Sequence, residues 1–303
     1  MKSLKQIAIL FVFYFSLISC FGQDKTTKQI NQQVEGSNNG HLVIVGGNLS
    51  DNSIYARFLE LAGGSDAPIV IIVTAGSDEN LFDYGGLENI KKRFSKNGFN
   101  NYVILHTRDR DEANSTTFVK PITNASGLWF TGGRQWRLAD SYLNTRTHEE
   151  INKLLDRGGV VGGSSAGASI MGSYLVRGDT KTNTVMMGDH ETGLGLMKNC
   201  AIDQHLLALN RQFDILEILN VHPELLGIGL DENTAIVVHG NEFEVIGKSF
   251  VAVYDGTFCQ FVRDKSDWSI ERPEITRLPK GSERFYLLGA GRKYSLSDRR
   301  VIE

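Results

Sequence analysis

The run Gly162-Gly163-Ser164-Ser165-Ala166-Gly167-Ala168-Ser169 has the residue types and spacing of a presented nucleophile. It follows the β-branched pair Val160-Val161 and leads into a stretch predicted helical from Ala168 to Val176. A sharp strand-to-helix turn has no room for large side chains, so glycine and alanine flank the serine. The hydroxyl then projects from the turn, and unpaired N–H groups at the helix start are available to a developing oxyanion. Gly163-Ser164-Ser165-Ala166-Gly167 fits the G-x-S-x-G pattern with Ser165 at its centre. Small-residue turns also build cofactor loops and purely structural loops, so the run needs chemical partners before it becomes a site.

A serine nucleophile requires a base, most often histidine. Of the seven histidines, His205 has the most telling context. It follows Asp203-Gln204 after the apolar pair Ala201-Ile202, as at the end of a strand entering a site, and an apolar stretch containing Arg211 comes next. His222, before Pro223-Glu224, reads as a turn or cap. A third residue, a carboxylate, should orient the imidazole. Between Ser165 and His205 the acids are Asp179, Asp189, Glu191 and Asp203. Asp203 is too close in sequence to His205 and suits substrate or backbone better. The pattern does not separate the other three.

The elements that must carry these residues alternate between strand and helix. Apolar runs at His41–Val45, Ile69–Val73, Tyr102–Leu105, Gly127–Phe130 and Gly159–Val161 lack polar alternation, as do strands buried on both faces of a parallel sheet. Helical patterns lie between them at Ile54–Ala62, Leu87–Lys96 and Ile151–Leu155, the last preceded by a capping-box sequence, Thr147-His148-Glu149-Glu150. The layout predicts a doubly wound α/β fold: a mostly parallel sheet with helices on both faces. Ligands of such sheets bind beyond the carboxyl ends of the strands. Four of the runs end there in glycine-containing turns, so these turns should meet around Ser165. Beyond residue 227, Ile236–Val238 and Phe243–Ile246 read as a hairpin turning at Gly240-Asn241, and Phe250–Tyr254 as a further strand. Together they predict an antiparallel C-terminal extension of one domain spanning 40–303.

The ends and the composition bound the setting. Lys2 and Lys5 precede an almost wholly apolar stretch, Ile7–Ile18, which is short for a bilayer span of about 20 residues. Residues 1–22 are therefore expected to be a signal peptide and the polar residues 23–39 a flexible tether. Leu17-Ile18-Ser19-Cys20 resembles a bacterial lipobox with Cys20 as the lipidated residue, and cleavage near Gly22-Gln23 is the alternative. Either route makes the protein exported: periplasmic, membrane-anchored through lipid, or secreted. With 41% hydrophobic and 22% charged residues the rest is globular in composition, and a net charge of −3 gives no reason to expect nucleic acid. Cys200 and Cys259 are free to pair or to remain thiols, and no zinc-type spacing occurs.

Four segments carry a family resemblance. Thr131-Gly132-Gly133-Arg134-Gln135-Trp136-Arg137-Leu138, the Gly163–Ser169 turn, Ile202-Asp203-Gln204-His205, and the stretch from His222-Pro223-Glu224 to Asp231-Glu232-Asn233-Thr234-Ala235 resemble the cyanophycinases of peptidase family S51, which also holds α-aspartyl dipeptidases. The resemblance implies a fold similar to class I glutamine amidotransferases. It also implies hydrolysis of peptide or isopeptide bonds next to aspartate, no metal or organic cofactor, and often a homodimer. By position, Ser165 matches the nucleophile and His205 the base. The N–H groups of Gly133 and Ala166 match the oxyanion hole, and Gln135, Asp203 and Gln204 match the substrate pocket. Family spacing favours Asp179 as the third member, with Glu191 second. Where cyanophycinases carry three arginines, this chain has Leu209, Arg211 and Asp214. Two bidentate carboxylate clamps are thus missing. That favours a smaller acidic substrate over the aspartate-rich polymer, held by Arg211 with Arg134 and Arg137. Two other readings fit the same turn: a serine esterase of the α/β-hydrolase type, against which His205 comes early in the chain, and an inactive surface homologue.

Overall fold

A computed structural model of the chain describes residues 35–255 and 285–302. The expected signal peptide, Cys20 and Cys259 lie outside the described residues.

The apolar runs form the centre of a nine-stranded sheet. Its strands are β1 (His41–Val45), β2 (Ile69–Ile72), β3 (Tyr102–Leu105), β4 (Gly127–Phe130), β5 (Val160–Ser164), β9 (Thr234–His239), β10 (Glu242–Gly247), β13 (Lys293–Ser295) and β14 (Arg300–Val301). Their order is β14-β13-β10-β9-β1-β5-β4-β2-β3. β1, β5, β4, β2 and β3 are parallel neighbours, and β1 passes to the antiparallel part through β9. Successive side chains leave a strand on opposite faces. Val43, Val45, Ile69, Ile71 and Trp129 therefore point to one layer, with Tyr55 and Phe58 of α1 (Asn52–Ala62) and Phe94 of α2 (Gly86–Lys96). Leu42, Ile44, Val70, Ile72, Leu128 and Phe130 point to the other layer. There they meet α3 (Arg110–Asn114), α4 (Thr116–Asn124), α5 (Gln135–Tyr142) and α6 (Arg146–Asp156). This is the doubly wound core that the runs predict.

Two local expectations are corrected, and one strand joins a second sheet. The segment Ala168–Val176 is helical only through α7 (Ala166–Ser169). The chain then forms β6 (Gly172–Tyr174), whose parallel pairing to β7 (Met197–Gln204) overrides helix propensity. β11 (Val251–Tyr254) does not extend the large sheet. It pairs antiparallel with β8 (Leu226–Leu230) in a second sheet, ordered β12-β11-β8-β7-β6, where β12 is Tyr286–Leu288. α6 begins at Arg146 rather than at a capping box, because the Thr147 hydroxyl donates to Ala113 O on α3. The second sheet packs Met197, Cys200, Ile202, Ile228 and Val253 into the main core. It places Ala201, Ala252 and Tyr254 against α8 (Ile215–Val221) on its other side. Residues 35–39, assigned by composition to the tether, already engage this body: Glu35 O accepts from Lys198 N–H and Ser37 O from Gly240 N–H.

Candidate active site

The carboxyl ends of β5, β1 and β7 bring Ser165, the Gly46–Asn48 loop and His205 together. Ser165 closes β5 with φ 58° and ψ −114°, a left-handed conformation that costs a non-glycine residue about 1–3 kcal/mol. The turn is held because Ser165 N–H donates to Val45 O, and Ser165 O accepts from the N–H groups of Ala168 and Ser169. Strain of this kind lifts the hydroxyl out of the strand. His205, just past β7, is also left-handed at φ 54° and is anchored through its N–H to Gly46 O.

The two side chains meet. Ser165 Oγ lies 3.0 Å from His205 Nε2, and His205 Nδ1 lies 2.7 Å from Glu232 Oε1. A carboxylate only accepts, so Nδ1 carries the proton toward Glu232 and Nε2 is left to accept from the serine hydroxyl. Glu232 follows β8. Its other oxygen accepts from Asn48 Nδ2 at 2.8 Å. Hydrogen bonds from Asn48 and His205 hold the Glu232 carboxyl below its ordinary range, so it stays ionised at neutral pH. Asp231 fixes the neighbouring backbone by accepting from the N–H groups of Leu207 and Ala208 and from the Ser249 hydroxyl. A serine, an imidazole in the right tautomer and a charged carboxylate in series can transfer a proton as the serine attacks a carbonyl.

The acid is where the sequence expectation is corrected. Neither Asp179 nor Glu191 reaches His205. Asp179 Oδ1 caps its own turn, accepting from the N–H groups of Lys181 and Thr182, and Glu191 Oε1 accepts from the Tyr174 hydroxyl at 3.2 Å. Glu232 lies after His205 in the chain, outside the interval between Ser165 and His205, yet inside the Leu230-Asp231-Glu232-Asn233 segment.

A Cβ on Gly132 would stand 3.3 Å from Ser165 Cβ, so the Gly132-Gly133 backbone borders the nucleophile. Gly133 has φ 145°, and any side chain on it would collide with the Ala75 carbonyl. Neither the Gly133 nor the Ala166 N–H donates a hydrogen bond among the described residues.

The expected pocket residues are engaged elsewhere. Gln135 is buried, and its amide donates to the carbonyls of Val176 and Arg177. Asp203 is fully buried and takes a bidentate pair of bonds from Arg177 at 2.9 and 3.0 Å. Arg211 donates to Gln204 O and Oε1. Arg134 donates to Asp179 O and Thr182 O, and Arg137 to Ala75 O. None of these residues lines the cavity of about 350 Å³ that opens on Ser165 and His205. Its walls are Asn48, Leu49, Tyr55, Phe94, Trp129, Thr131 and Gly132, with Arg93 at one side. Burial pushes the Tyr55 hydroxyl up, while the positive charge of Arg93 pulls the other way. The sequence pattern missed Tyr55, Arg93 and Glu232, because each belongs to an element whose polar residues look solvated or turn-forming.

A parallel α/β sheet with a strained serine at the end of a strand, bonded to an imidazole and a carboxylate, has the form of a serine hydrolase. Comparison with known proteins narrows this. The model of peptidase family S51 matches residues 42–246. The cyanophycinase of Geminocystis herdmanii is 31% identical over 261 residues, covering 84% of this chain and 93% of its own. That of Nostoc sp. is 29% identical over 271 residues, covering 86% and 87%. The crystal structure of a peptidase from an acI-B1 Actinobacterium shares the fold, with a TM-score of 0.64 at 22% identity over 86% of this chain and 98% of that one. The chain belongs to peptidase family S51 and is a serine-type peptidase.

Proposed function

We propose that this peptidase cleaves peptide or isopeptide bonds next to an acidic residue by nucleophilic attack from Ser165. The observation that carries the reading is the continuous hydrogen-bonded series Ser165–His205–Glu232. In this reading His205 Nε2 takes the Ser165 proton as Oγ attacks the carbonyl carbon. Glu232 holds the imidazole and offsets the charge that forms on it. The N–H groups of Gly133 and Ala166 receive the oxyanion, where one such donor is typically worth about 3 kcal/mol of barrier. The tetrahedral species collapses, the amine leaves with the proton from His205, and an acyl-enzyme forms on Ser165. Water, deprotonated by the same imidazole, then releases the acid.

The acidic preference draws on the cyanophycinase relatives. By the family resemblance, Leu209 and Asp214 stand where a cyanophycinase carries arginines, which favours short acidic peptides over a polymer. Export, either with a lipid on Cys20 or after cleavage near Gly22-Gln23, and a homodimer belong to the same proposal. Membrane fractionation of wild type and Cys20→Ala, together with sedimentation velocity, tests them.

The decisive test offers purified protein a panel of α- and β-aspartyl dipeptides, cyanophycin and a p-nitrophenyl ester, beside Ser165→Ala. Release of free amino acid from the dipeptides, abolished in the variant, is the expected result. Cleavage of the ester alone, or an unchanged rate in Ser165→Ala, overturns the proposal.

A further inference from the structure

The cavity beside Ser165 has one fixed cation among the described residues that line it, Arg93, and no carboxylate. Arg93 stands in the last turn of α2. Beside it on the cavity wall stands Tyr55, which is itself buried against Phe94, Phe99 and Trp129. No carboxylate pairs with Arg93 among the described residues. Arg93 is exposed at the edge of the cavity, beside these rings.

A second observation points to a ligand at the same place. Thr131 lines the cavity, is 9% exposed, and its Oγ1 has no hydrogen-bond partner among the described residues. Buried hydroxyls are ordinarily paired, so this one is free for a group that enters the cavity. By contrast, the arginines that the motifs nominate are committed to the fold. Arg211 serves Gln204, Arg134 the carbonyls of 179 and 182, and Arg137 the carbonyl of Ala75.

Resting on the hydrolase reading above, we infer that Arg93, beside Tyr55 on the cavity wall and aided by the Thr131 hydroxyl, is the residue that selects a carboxylate on the acyl part of the substrate. Recognition of the acid has in this chain moved from the segment after His205 to the α2 side of the cavity. Arg93 acts on specificity: it binds the carboxylate and takes no part in the proton transfers at Ser165. The guanidinium offers paired N–H donors that match a carboxylate, which a neutral amide of the same shape cannot exploit in the same way.

The experiment compares aspartyl and asparaginyl 4-nitroanilides, equal in size and different in charge, on wild type and Arg93→Gln. Wild type should prefer the aspartyl compound. The ratio of the two kcat/KM values should fall about 10- to 100-fold in the variant, the worth of one charge-assisted hydrogen bond. A ratio measured on one preparation does not depend on the folded fraction. A ratio unchanged in Arg93→Gln overturns the inference. Binding separates it from the hydrolase reading: calorimetry of the aspartyl compound with Ser165→Ala and with Ser165→Ala/Arg93→Gln requires no turnover. Affinity about tenfold or more weaker in the double variant supports the role of Arg93 even if wild type cleaves nothing. Equal affinity, or no binding to either, overturns it.

Discussion

Gly47 leaves open the space that the His205 ring needs. A Cβ on Gly47 would fall 2.6 Å from Nε2 and 2.8 Å from Nδ1, well inside contact distance for both ring nitrogens. Gly47 also has φ +127°, where a side chain is strained whatever its surroundings. Gly47→Ala should therefore displace the imidazole from Ser165 and Glu232 together. Moving a catalytic group by about 1 Å can cost about 100-fold in rate, so kcat should fall by that order while the chain still folds, with a stability loss of about 1–3 kcal/mol. Steady-state kinetics beside a urea melt gives both numbers. Full activity in Gly47→Ala would mean that the ring has another working position.

Glu232→Gln tests the third member of the series. The amide keeps the shape but presents a donor as well as an acceptor, so the tautomer of His205 is no longer fixed by a carboxylate. We expect kcat/KM to fall about 10⁴-fold, the scale seen when such an acid is made neutral. Asp179→Asn and Glu191→Gln, which touch a local turn and Tyr174, should remain within about a factor of 3 of wild type. A large loss in either of those two, with Glu232→Gln active, would reverse the assignment.

What could be read from sequence follows from what is local. Val43, Ile71 and Leu128 announce a parallel sheet because strands buried on both faces leave no polar alternation. Ser165 is legible because a tight turn excludes large neighbours, a constraint that acts within a few residues. Glu232 is not legible in the same way. It must be near His205 in space, and β8 delivers it there from beyond the interval between serine and histidine. The strand β6 was hidden because Gly172-Ser173-Tyr174 gains its structure from β7, where Ser173 Oγ donates to Cys200 O. Arg93 was hidden for the opposite reason. An arginine on the polar side of an amphipathic helix resembles any solvated cation until α2 is folded beside the cavity.

His190 makes the 178–192 stretch sensitive to pH. Its Nε2 lies 2.7 Å from Asp140 Oδ1 on α5, and its Nδ1 3.1 Å from Asp189 Oδ1. Burial pushes the imidazole down, but the hydrogen bonds and charges of Asp140 and Asp189 outweigh it, and the net shift is upward. Asp189, bonded by Thr180 and His190, is pushed down to about 2. A raised imidazole pKa contributes stability that is complete below the unfolded value of 6.5 and is lost as pH rises through the folded value. Amide exchange in this stretch, corrected for intrinsic rates, should thus be slower at about pH 6 than at about pH 8. In His190→Gln the difference should vanish. Equal protection at both pH values in wild type would show that the ion pairs do not hold the loop.

The buried pair Arg177–Asp203 supports the strand that delivers His205. Arg177 is 2% exposed and Asp203 is fully buried, and the guanidinium also bonds Asp214 Oδ2 at 2.6 Å and Asn183 O at 3.1 Å. One cation thus ties the end of β7 to the 178–192 stretch and to the entrance of α8. Removing it leaves the Asp203 charge in the interior without its partner, which typically costs about 3–5 kcal/mol. Arg177→Met should lower stability by that amount. Asp203→Asn added to it should cost less than the sum of the single changes, because the orphaned charge is gone. Urea unfolding of the two single variants and the double variant measures the coupling. Strict additivity would mean that the two groups stabilise the fold independently, despite their bidentate contact.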